Sequence, residues 1–495
     1  MPDSSAQAPA PMPVLRLLPL GAALLAAFAA PAQGQSLIEL YDSARVYDAT
    51  YQGARAQHDA SLARAAQAKA GVLPSVGLSA GITRTELDVH SPVGSMNRGL
   101  SNPTAGINAV QPLYRPANWA TLDQSKHQID IAQAQLLLAE QDLVVRVSQT
   151  YFDVLASQDT LALVRAQKAA VAEQLAAAKR NFEVGTSTIT DTREAQARYD
   201  LVIAQEIAAE NDLQVKKIVL DQLVGRPGSV PLPLAAPVVL PVVAPADAQA
   251  WVEQAEQVHP AIQQARLGVS VAGLEVDKAK AGHKPTIDAQ LGYNFSNNPQ
   301  GTTITTARSR VNAASIGVQL NLPLFAGFAT ENRIKETLAL EEQSRQTFES
   351  TRRSVTQATR SAYLGLVSGA SQVKALEAAE ASSQSALDAN RLGYQVGVRI
   401  NIDVLNSQSQ LFQTRRDLAL ARYNVLVGNL RLRQANGSLT TSDLGAINAT
   451  LSQTGATPAF AAGSEPSAAT MSPVPVPPAS EPAPGKPAAA PTPAR

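Results

Sequence analysis

One segment of the chain has the spacing of a catalytic motif. Gly77-Leu78-Ser79-Ala80-Gly81 matches the Gly-x-Ser-x-Gly of a nucleophile elbow, in which the serine sits on a sharp strand-to-helix turn and takes His and Asp partners from elsewhere. Here Ser79 falls in the middle of an alternating, strand-like segment, on its polar side, so the turn that would activate it is missing. The five histidines, His58, His90, His127, His259 and His283, are scattered with no pair at helical ligand spacing, which argues against a metal site. The chain has 0 Cys, which excludes disulfides, thiolate metal sites, a cysteine nucleophile and a lipidated N-terminal cysteine. No phosphate loop, paired catalytic carboxylate or redox motif appears. The residues therefore read as those of a protein that is not an enzyme and takes no cofactor or metal. Two carboxylates remain as candidates for another role. Asp191-Thr192-Arg193-Glu194 reads as a capping box at the start of a helix, and Asp403, taken alone, is a carboxylate on a solvated helix face.

The elements that carry those two aspartates occur twice. Lys69-Ala70-Gly71-Val72-Leu73-Pro74-Ser75-Val76 returns as Lys280-Ala281-Gly282-His283-Lys284-Pro285-Thr286-Ile287, and Phe182-Glu183-Val184-Gly185 returns as Tyr394-Gln395-Val396-Gly397. Subtracting positions gives 211 for Gly71/Gly282 and Pro112/Pro323, and 212 for Gly185/Gly397, Asp191/Asp403 and Gly225/Gly437. A register held within one residue over that span marks a duplicated unit. The chain divides into a signal peptide (1–32), repeat 1 (33–228), a Pro-rich linker (229–246), repeat 2 (247–445) and a Pro/Ala-rich tail (446–495).

Arg16 followed by the apolar run Leu17–Ala30, with Ala30-Pro31-Ala32 as a small-x-small cleavage site, reads as a secretory signal; Met12 as the start would give it a more usual length. The run is short for an anchoring helix, which needs ~20 residues. No later segment approaches a transmembrane helix, so the mature chain is exported and any membrane crossing is made by strands. The tail cannot bury enough apolar surface to fold and reads as disordered. The linker, rich in Val and Leu, reads as lying extended over the body. With 41 basic and 41 acidic residues, the chain has no charge with which to bind nucleic acid. Its 4% aromatic content suits polar, Ala-rich helices better than a large dry core.

Each repeat changes period in a fixed order. Ser36–Ala70 and its twin at 247–281 are helical. The period then falls to two, clearest in Ile287, Ala289, Leu291, Tyr293 and Phe295 and in Ile316, Val318, Leu320 and Leu322, with weaker versions in Val76, Leu78, Ala80 and Ile82 and in Ile107 and Ala109. This predicts strands over 74–88, 102–114, 285–296 and 311–325, with polar loops near 88–102 and 296–311. About ten alternating residues is the length of a tilted outer-membrane strand. Long helices follow over 118–183 and 191–223, and over 330–395 and 402–435. The first is a rod of roughly 95 Å at 1.5 Å per residue, and its small Ala positions suit close packing along coiled-coil-like seams. Four strands cannot close a barrel when about eight is the minimum, and an open edge is not tolerated in hydrocarbon. If the strands span a membrane, several copies must share one barrel.

Asn181-Phe182-Glu183-Val184-Gly185 with Ile189-Thr190-Asp191 and Ala195-Gln196-Ala197-Arg198-Tyr199-Asp200 resembles the first-repeat tip of the TolC family of outer-membrane export channels. Tyr394-Gln395-Val396-Gly397-Val398-Arg399 with Ile402-Asp403-Val404-Leu405-Asn406 and Ala421-Arg422-Tyr423-Asn424 resembles the second-repeat tip. The similarity covers about residues 36–445. It implies a mixed α and β fold and a homotrimer with a shared 12-stranded barrel in the outer membrane and a periplasmic α-helical barrel. It also implies the partners: outer-membrane lipid, a periplasmic adaptor (membrane fusion) protein, and an inner-membrane transporter of RND, ABC or MFS type. The cargo would be small molecules or drugs, or secreted proteins.

The resemblance further implies that Tyr394 and Arg399 bond to Asp191 and hold the periplasmic entrance shut, a role compatible with Asp191 capping its helix. It makes Asp403 the pore-facing carboxylate. A second acidic residue is usual in the family one turn on, facing the same way; here it is Asn406, which weakens the expectation of cation selectivity and of tight block by multivalent cations. Val184, Gly185, Thr186, Val396, Gly397 and Val398 would form the surface that docks the adaptor, and the two glycines are also what a turn of positive φ requires. Pro112-Leu113-Tyr114-Arg115 and Pro323-Leu324-Phe325 mark the swivel from strand to helix. The alternative reading is a periplasmic helical-hairpin adaptor or scaffold without its own pore, which has no use for alternating strands in both repeats. A free-standing porin is disfavoured by the long helices and the small number of strands.

Overall fold

The computed structural model describes residues 34–452, except Val93, Ala236, Pro237, Val239 and Val242. The signal peptide and most of the Pro/Ala-rich tail lie outside the described residues. In chain order the elements are α1 (Leu37–Tyr47), α2 (Ala49–Ala70), β1 (Ser75–Ser91), β2 (Gly94–Tyr114), α3 (Pro116–Glu183) and α4 (Ile189–Val224) in the first repeat. The second repeat follows with α5 (Ala248–Val258), α6 (Pro260–Lys280), β3 (Thr286–Asn298), β4 (Ser309–Asn321), α7 (Ala329–Gln395) and α8 (Asn401–Asn436), and α9 (Thr441–Asn448) ends the body.

The helix expected over Ser36–Ala70 is two helices. Asp48 breaks it with extended backbone and caps α2, accepting from the Tyr51 N–H at 2.7 Å. Arg146 of α3 fixes the capping carboxylate through two bonds of 3.1 Å. The twin helix breaks at the matching place, His259, because Pro260 excludes helical backbone from the residue before it. The hairpin of the first repeat is longer than expected. β1 and β2 stay in register to Ser91↔Gly94, so the polar segment near 88–102 is mostly strand. Its ladder satisfies the backbone while its side chains, Asp88, Asn97 and Arg98 among them, carry no clear apolar alternation to reveal it. β4 stops at Asn321 rather than 325, since Pro323 has no N–H to give a ladder. The ordered body also continues past 445, because Ile447 and Leu451 are buried, and Leu451 bridges Leu234 of the linker.

The strands form one antiparallel sheet in the order β1-β2-β3-β4. Its register lines up Leu78, Ile107, Tyr293 and Ala314 on one row and Val76, Ala109, Leu291 and Ile316 on the next. All of these rows project from the same face, and Leu78 and Ile316 are 78% and 87% exposed, so this face is apolar and uncovered in a single chain. The opposite face carries Ser79, Asn108, Asn294 and Gln319. Ser79 sits mid-strand and donates to the Gly106 carbonyl at 3.4 Å, with no strand-to-helix turn beside it. Arg115, at the first swivel, forks onto the buried Asp288 of β3 at 2.7 and 2.6 Å and ties the start of α3 to the other repeat. No helix among the described residues is long and apolar enough to cross a membrane.

The helices continue the sheet as a single layer. Nearest the strands the order is α2-α3-α6-α7; beyond the middle of the rods α4 and α8 take the places of α2 and α6, in the order α4-α3-α8-α7. With 68 residues α3 is about 100 Å long. The apolar core is concentrated at mid-length, where Leu37, Leu40, Val147, Tyr151, Phe152, Leu220, Leu426 and Leu430 meet. The linker crosses this belt extended, and Tyr151 donates its hydroxyl to the Leu232 carbonyl at 2.8 Å. Beside Tyr151, Phe152 packs on Tyr423 with ring centroids 5.6 Å apart, and the Tyr423 hydroxyl donates to Asp159 at 2.5 Å. Asp159 is 6% exposed, and burial pushes its carboxyl up to about 6.

Two consequences can be measured. The folded state holds the Asp159 proton more tightly than the unfolded chain, whose carboxyl titrates near ~3.9. The stability this site contributes is therefore fully present below about pH 4 and is lost as pH rises through about 6. Thermal unfolding should show wild type losing about 2–3 kcal/mol relative to Asp159→Asn between pH 4 and pH 7; parallel profiles would show that Asp159 titrates as an ordinary surface carboxylate. The second concerns two glycines of like backbone. Gly397 and Gly437 have φ of 76° and 81°, but a Cβ on Gly397 meets open space, whereas one on Gly437 would lie 2.6 Å from the Cα of His259. Gly397→Ala should cost only the left-handed strain of about 1–2 kcal/mol, and Gly437→Ala clearly more, read as the loss of folded protein on denaturant titration.

Candidate functional site

The candidate residues gather at the far end of the rods from the sheet, in two turns built alike. In the first, the N–H groups of Val184, Gly185 and Thr186 reach the carbonyls of Arg180, Phe182 and Asn181; in the second, those of Val396, Gly397 and Val398 reach Leu392, Tyr394 and Gly393. Gly185 and Gly397 take φ of 78° and 76°, the left-handed conformation that closes a helix cheaply only with glycine. The space beside both is open, so backbone shape rather than close packing requires them. Around them Val184, Val396 and Val398 are 72%, 66% and 78% exposed, which gives the end of each hairpin an apolar crown.

The helices that leave the two turns start differently. Thr188 caps α4, and Asp191 is the third residue of that helix: its N–H donates to the Thr188 hydroxyl at 3.2 Å and its carboxylate accepts from the Thr188 N–H at 2.9 Å. The capping box is thus Thr188–Asp191 rather than Asp191–Glu194, since the helix begins at Ile189, two residues earlier than expected. The Ser187 and Thr188 hydroxyls also donate to Asp191, and these bonds, led by that from Ser187, hold its carboxyl below the usual range. All three bonds to the carboxylate fall on Oδ2. In the second repeat Ile400 stands where Thr188 does in the first, and α8 has no side-chain cap. Asp403 is therefore not used up in a box, and it pairs with Arg399 at 3.7 Å. Arg399 lies folded over Gly393, where a Cβ would come within 2.7 Å of its Cγ.

Within one chain Asp191 touches neither Tyr394 nor Arg399. The structure instead joins the tips by giving Tyr394 and Asn406 partners that the sequence did not single out. The Tyr394 hydroxyl accepts from Asn181 Nδ2 at 3.0 Å, Gln174 of α3 bonds to Asn401 of α8, and Asn406 Oδ1 accepts from Arg198 Nη2 at 2.8 Å. Asn181 and Arg198 stand inside the motifs that carry the resemblance, but their partners lie more than 200 positions away and no local pattern announces such pairs. Beneath them Val171, Leu175 and Ala178 of α3 pack on Ala195 and Val202 of α4 and Leu405 of α8. The tip is thus a small apolar core with polar clasps above it. Among the described residues no group of His, Cys, Asp and Glu could hold a metal ion.

An array of clasps between packed helices can hold those helices together or release them. The outer membrane efflux protein family matches over residues 40–226 and again over 251–438, once per repeat. The chain is 33% identical to the outer membrane protein TolC of Vibrio cholerae, covering 88% of this chain and 98% of that one. It is 29% identical to the proteases secretion protein PrtF of Dickeya chrysanthemi, covering 83% and 90%. Among solved structures it resembles the outer membrane protein VceC of Vibrio cholerae, with a TM-score of 0.70 at 18% identity over 81% of this chain and 96% of that one. It also resembles the open state of the MtrE outer membrane channel of Neisseria gonorrhoeae, with a TM-score of 0.65 at 16% identity over 82% and 90%. The chain belongs to the outer membrane efflux protein family, and it is an outer-membrane channel protein of efflux and secretion whose long helices stand in the periplasm.

Proposed function

We propose that three copies of this chain close into one duct that carries cargo from an inner-membrane pump and its periplasmic adaptor to the cell exterior. The observation that carries the reading is the open-edged layer. β1 and β4 each pair on one side only, and the helical layer likewise ends in an unpartnered helix on each side. A strand edge facing hydrocarbon leaves several backbone groups unsatisfied, and repeating the four-element layer is the only way this fold can satisfy them. Three copies give twelve strands, the number that the resemblance implies. The apolar rows then face lipid, the polar face lines the lumen, and the rods form a helical barrel across the periplasm. The cargo is a small molecule, a drug or a secreted protein, and the duct carries out no catalytic step. The exposed tips at Val184-Gly185-Thr186 and Val396-Gly397-Val398 dock the adaptor, and the transporter behind it is of RND, ABC or MFS type.

Asp191, Tyr394, Arg399, Asp403 and Asn406 form the gate. Capping and gating are compatible at Asp191, because among the described residues Oδ1 carries no bond and could accept from Arg399 of a neighbouring copy. Charge-assisted bonds of this kind hold coils together, yet an adaptor can break them without unfolding a helix. Two experiments test the reading. Fractionation should recover the protein in the outer membrane as a heat-sensitive trimer, and a soluble periplasmic monomer would sink the duct. In planar bilayers Arg399→Ala should give a larger, more often open pore than wild type, and unchanged conductance would remove Arg399 from the gate.

A further inference from the structure

We propose that the seam between copies repeats, position for position, the junction between the two repeats inside one chain, which fixes the register in which copies meet. The inference rests on the duct reading above, and the partner it names is a second copy of this chain. The two hairpins share one register. Adding 211 to both members of Ser75↔Val110 gives Thr286↔Asn321, and the same step takes Ile82↔Pro103 to Tyr293↔Ala314, all of them pairs of the sheet. Inside the chain β2 of repeat 1 pairs with β3 of repeat 2, setting Ile107 opposite Tyr293. A ring of copies sets repeat 2 of one chain beside repeat 1 of the next. The step of 211 then lays β4 against β1 of the neighbouring copy, with Val318 opposite its Ile82. Both residues belong to the apolar face and are exposed in a single chain.

The rods point to the same seam independently. Past the swivels the offset between twins is 212: a Cβ on Gly71 would meet Asn118, and one on Gly282 would meet Thr330. The mid-length core gathers Phe152 and Leu155 of α3 with Val427 and Leu430 of α8, all at most 2% exposed. Their twins are Leu364 and Val367 on α7 and Val215 and Ile218 on α4. These stand on the two outer helices of the layer and are between 40% and 64% exposed. Each outer helix is therefore apolar at positions whose twins are core. Nearer the sheet Gln124 of α3 donates to Glu275 of α6 at 3.0 Å. The twin positions hold Glu336 on α7 and Arg64 on α2, an acid opposite a base. Arg64 is exposed and has no partner among the described residues, and Glu336 pairs there with Arg333 of its own helix. Two bonds of the internal junction have no twin. Asp288 corresponds to Gly77, and Asp159 and Tyr423 correspond to Ser371 and Asn211. The seam keeps the register and the apolar packing without those buried carboxylates.

The test is disulfide cross-linking of the full-length protein in membranes, where a chain with 0 Cys gives no background. Directly opposed residues of an antiparallel pair have Cα atoms about 4.5–5.5 Å apart, within reach of a disulfide, while a diagonal neighbour two residues on is about 7–8 Å away. Oxidation with copper–phenanthroline should link the Ile82→Cys/Val318→Cys variant into covalent dimers and trimers. It should do so at least about fivefold more than Ala80→Cys/Val318→Cys, which is two residues out of register. In the rods, Arg64→Glu should lower the temperature at which the trimer separates on a gel, and Arg64→Glu/Glu336→Arg should restore it. If the out-of-register pair links as well as the predicted one, or if the charge exchange gives no rescue, the copied seam is wrong. Should the cysteine variants fail to assemble, the charge exchange decides alone. Trimers in which neither pair links would overturn the register and leave the duct standing. If wild type itself forms no trimer, it is the duct reading that fails.

Discussion

The whole molecule depends on an unmet backbone requirement. A four-stranded antiparallel sheet has two edges, and in hydrocarbon each unpaired N–H or C=O costs several kcal/mol because no water reaches it. β1 and β4 carry that cost along the part of each strand that lies in hydrocarbon, about ten residues for a tilted strand. In the proposed trimer the apolar rows, one-layer helices and exposed seams all become ordinary, because the layer is repeated round an axis. There the polar face of the sheet would line the lumen and meet water rather than a core.

A one-layer wall of rods has little interior of its own, so the apolar residues are not spread evenly. They collect in the belt at mid-length, where the linker, α1 and α9 add a second layer against α3, α4 and α8. Here the two repeats are stapled together and both chain ends emerge. The buried Asp159–Tyr423 bond crosses between α3 of one repeat and α8 of the other. Its geometry specifies how the two halves meet, although a buried carboxyl costs stability when it ionises. Below the belt the packing thins to small clusters, and the tips are held by single hydrogen bonds. A wall anchored in the middle and weakly clasped at its end can part there without losing its fold.

Much of this was legible in the sequence, for physical reasons that also mark where legibility stopped. The first rod announces itself because Pro and Gly are absent over 118–183, and the rod of the second repeat as its twin; β3 and β4 do so because one face is apolar and the other polar, which is period two. The outer part of the first hairpin carries polar and charged residues in both strands, so the ladder persists with no hydrophobic pattern to betray it. Pro260 could have revealed the break in the second repeat's leading helix, and Asp48, by symmetry, that in the first. The tips were found through their turns, whose glycines are dictated locally. Their clasps were not, because Asn181–Tyr394 and Arg198–Asn406 depend on which helix faces of two distant segments meet, and periodicity carries no information about that.

Where the twins differ, the differences have chemical consequences. Asp191 and Asp403 occupy equivalent positions, yet one residue, Thr188 against Ile400, decides their roles: the hydroxyl draws Asp191 into a cap, and its absence leaves Asp403 to Arg399. A turn further on, the first repeat has Glu194 and Arg198 where the second has Asn406 and Gln410. An acidic residue at 406 would have met Arg198 as an ion pair and cancelled it. The amide accepts the hydrogen bond of Arg198 without bringing a charge of its own. Duplication supplied two equal coils, and divergence at a few residues near the turns gave one coil a locked cap and the other a carboxylate free to pair.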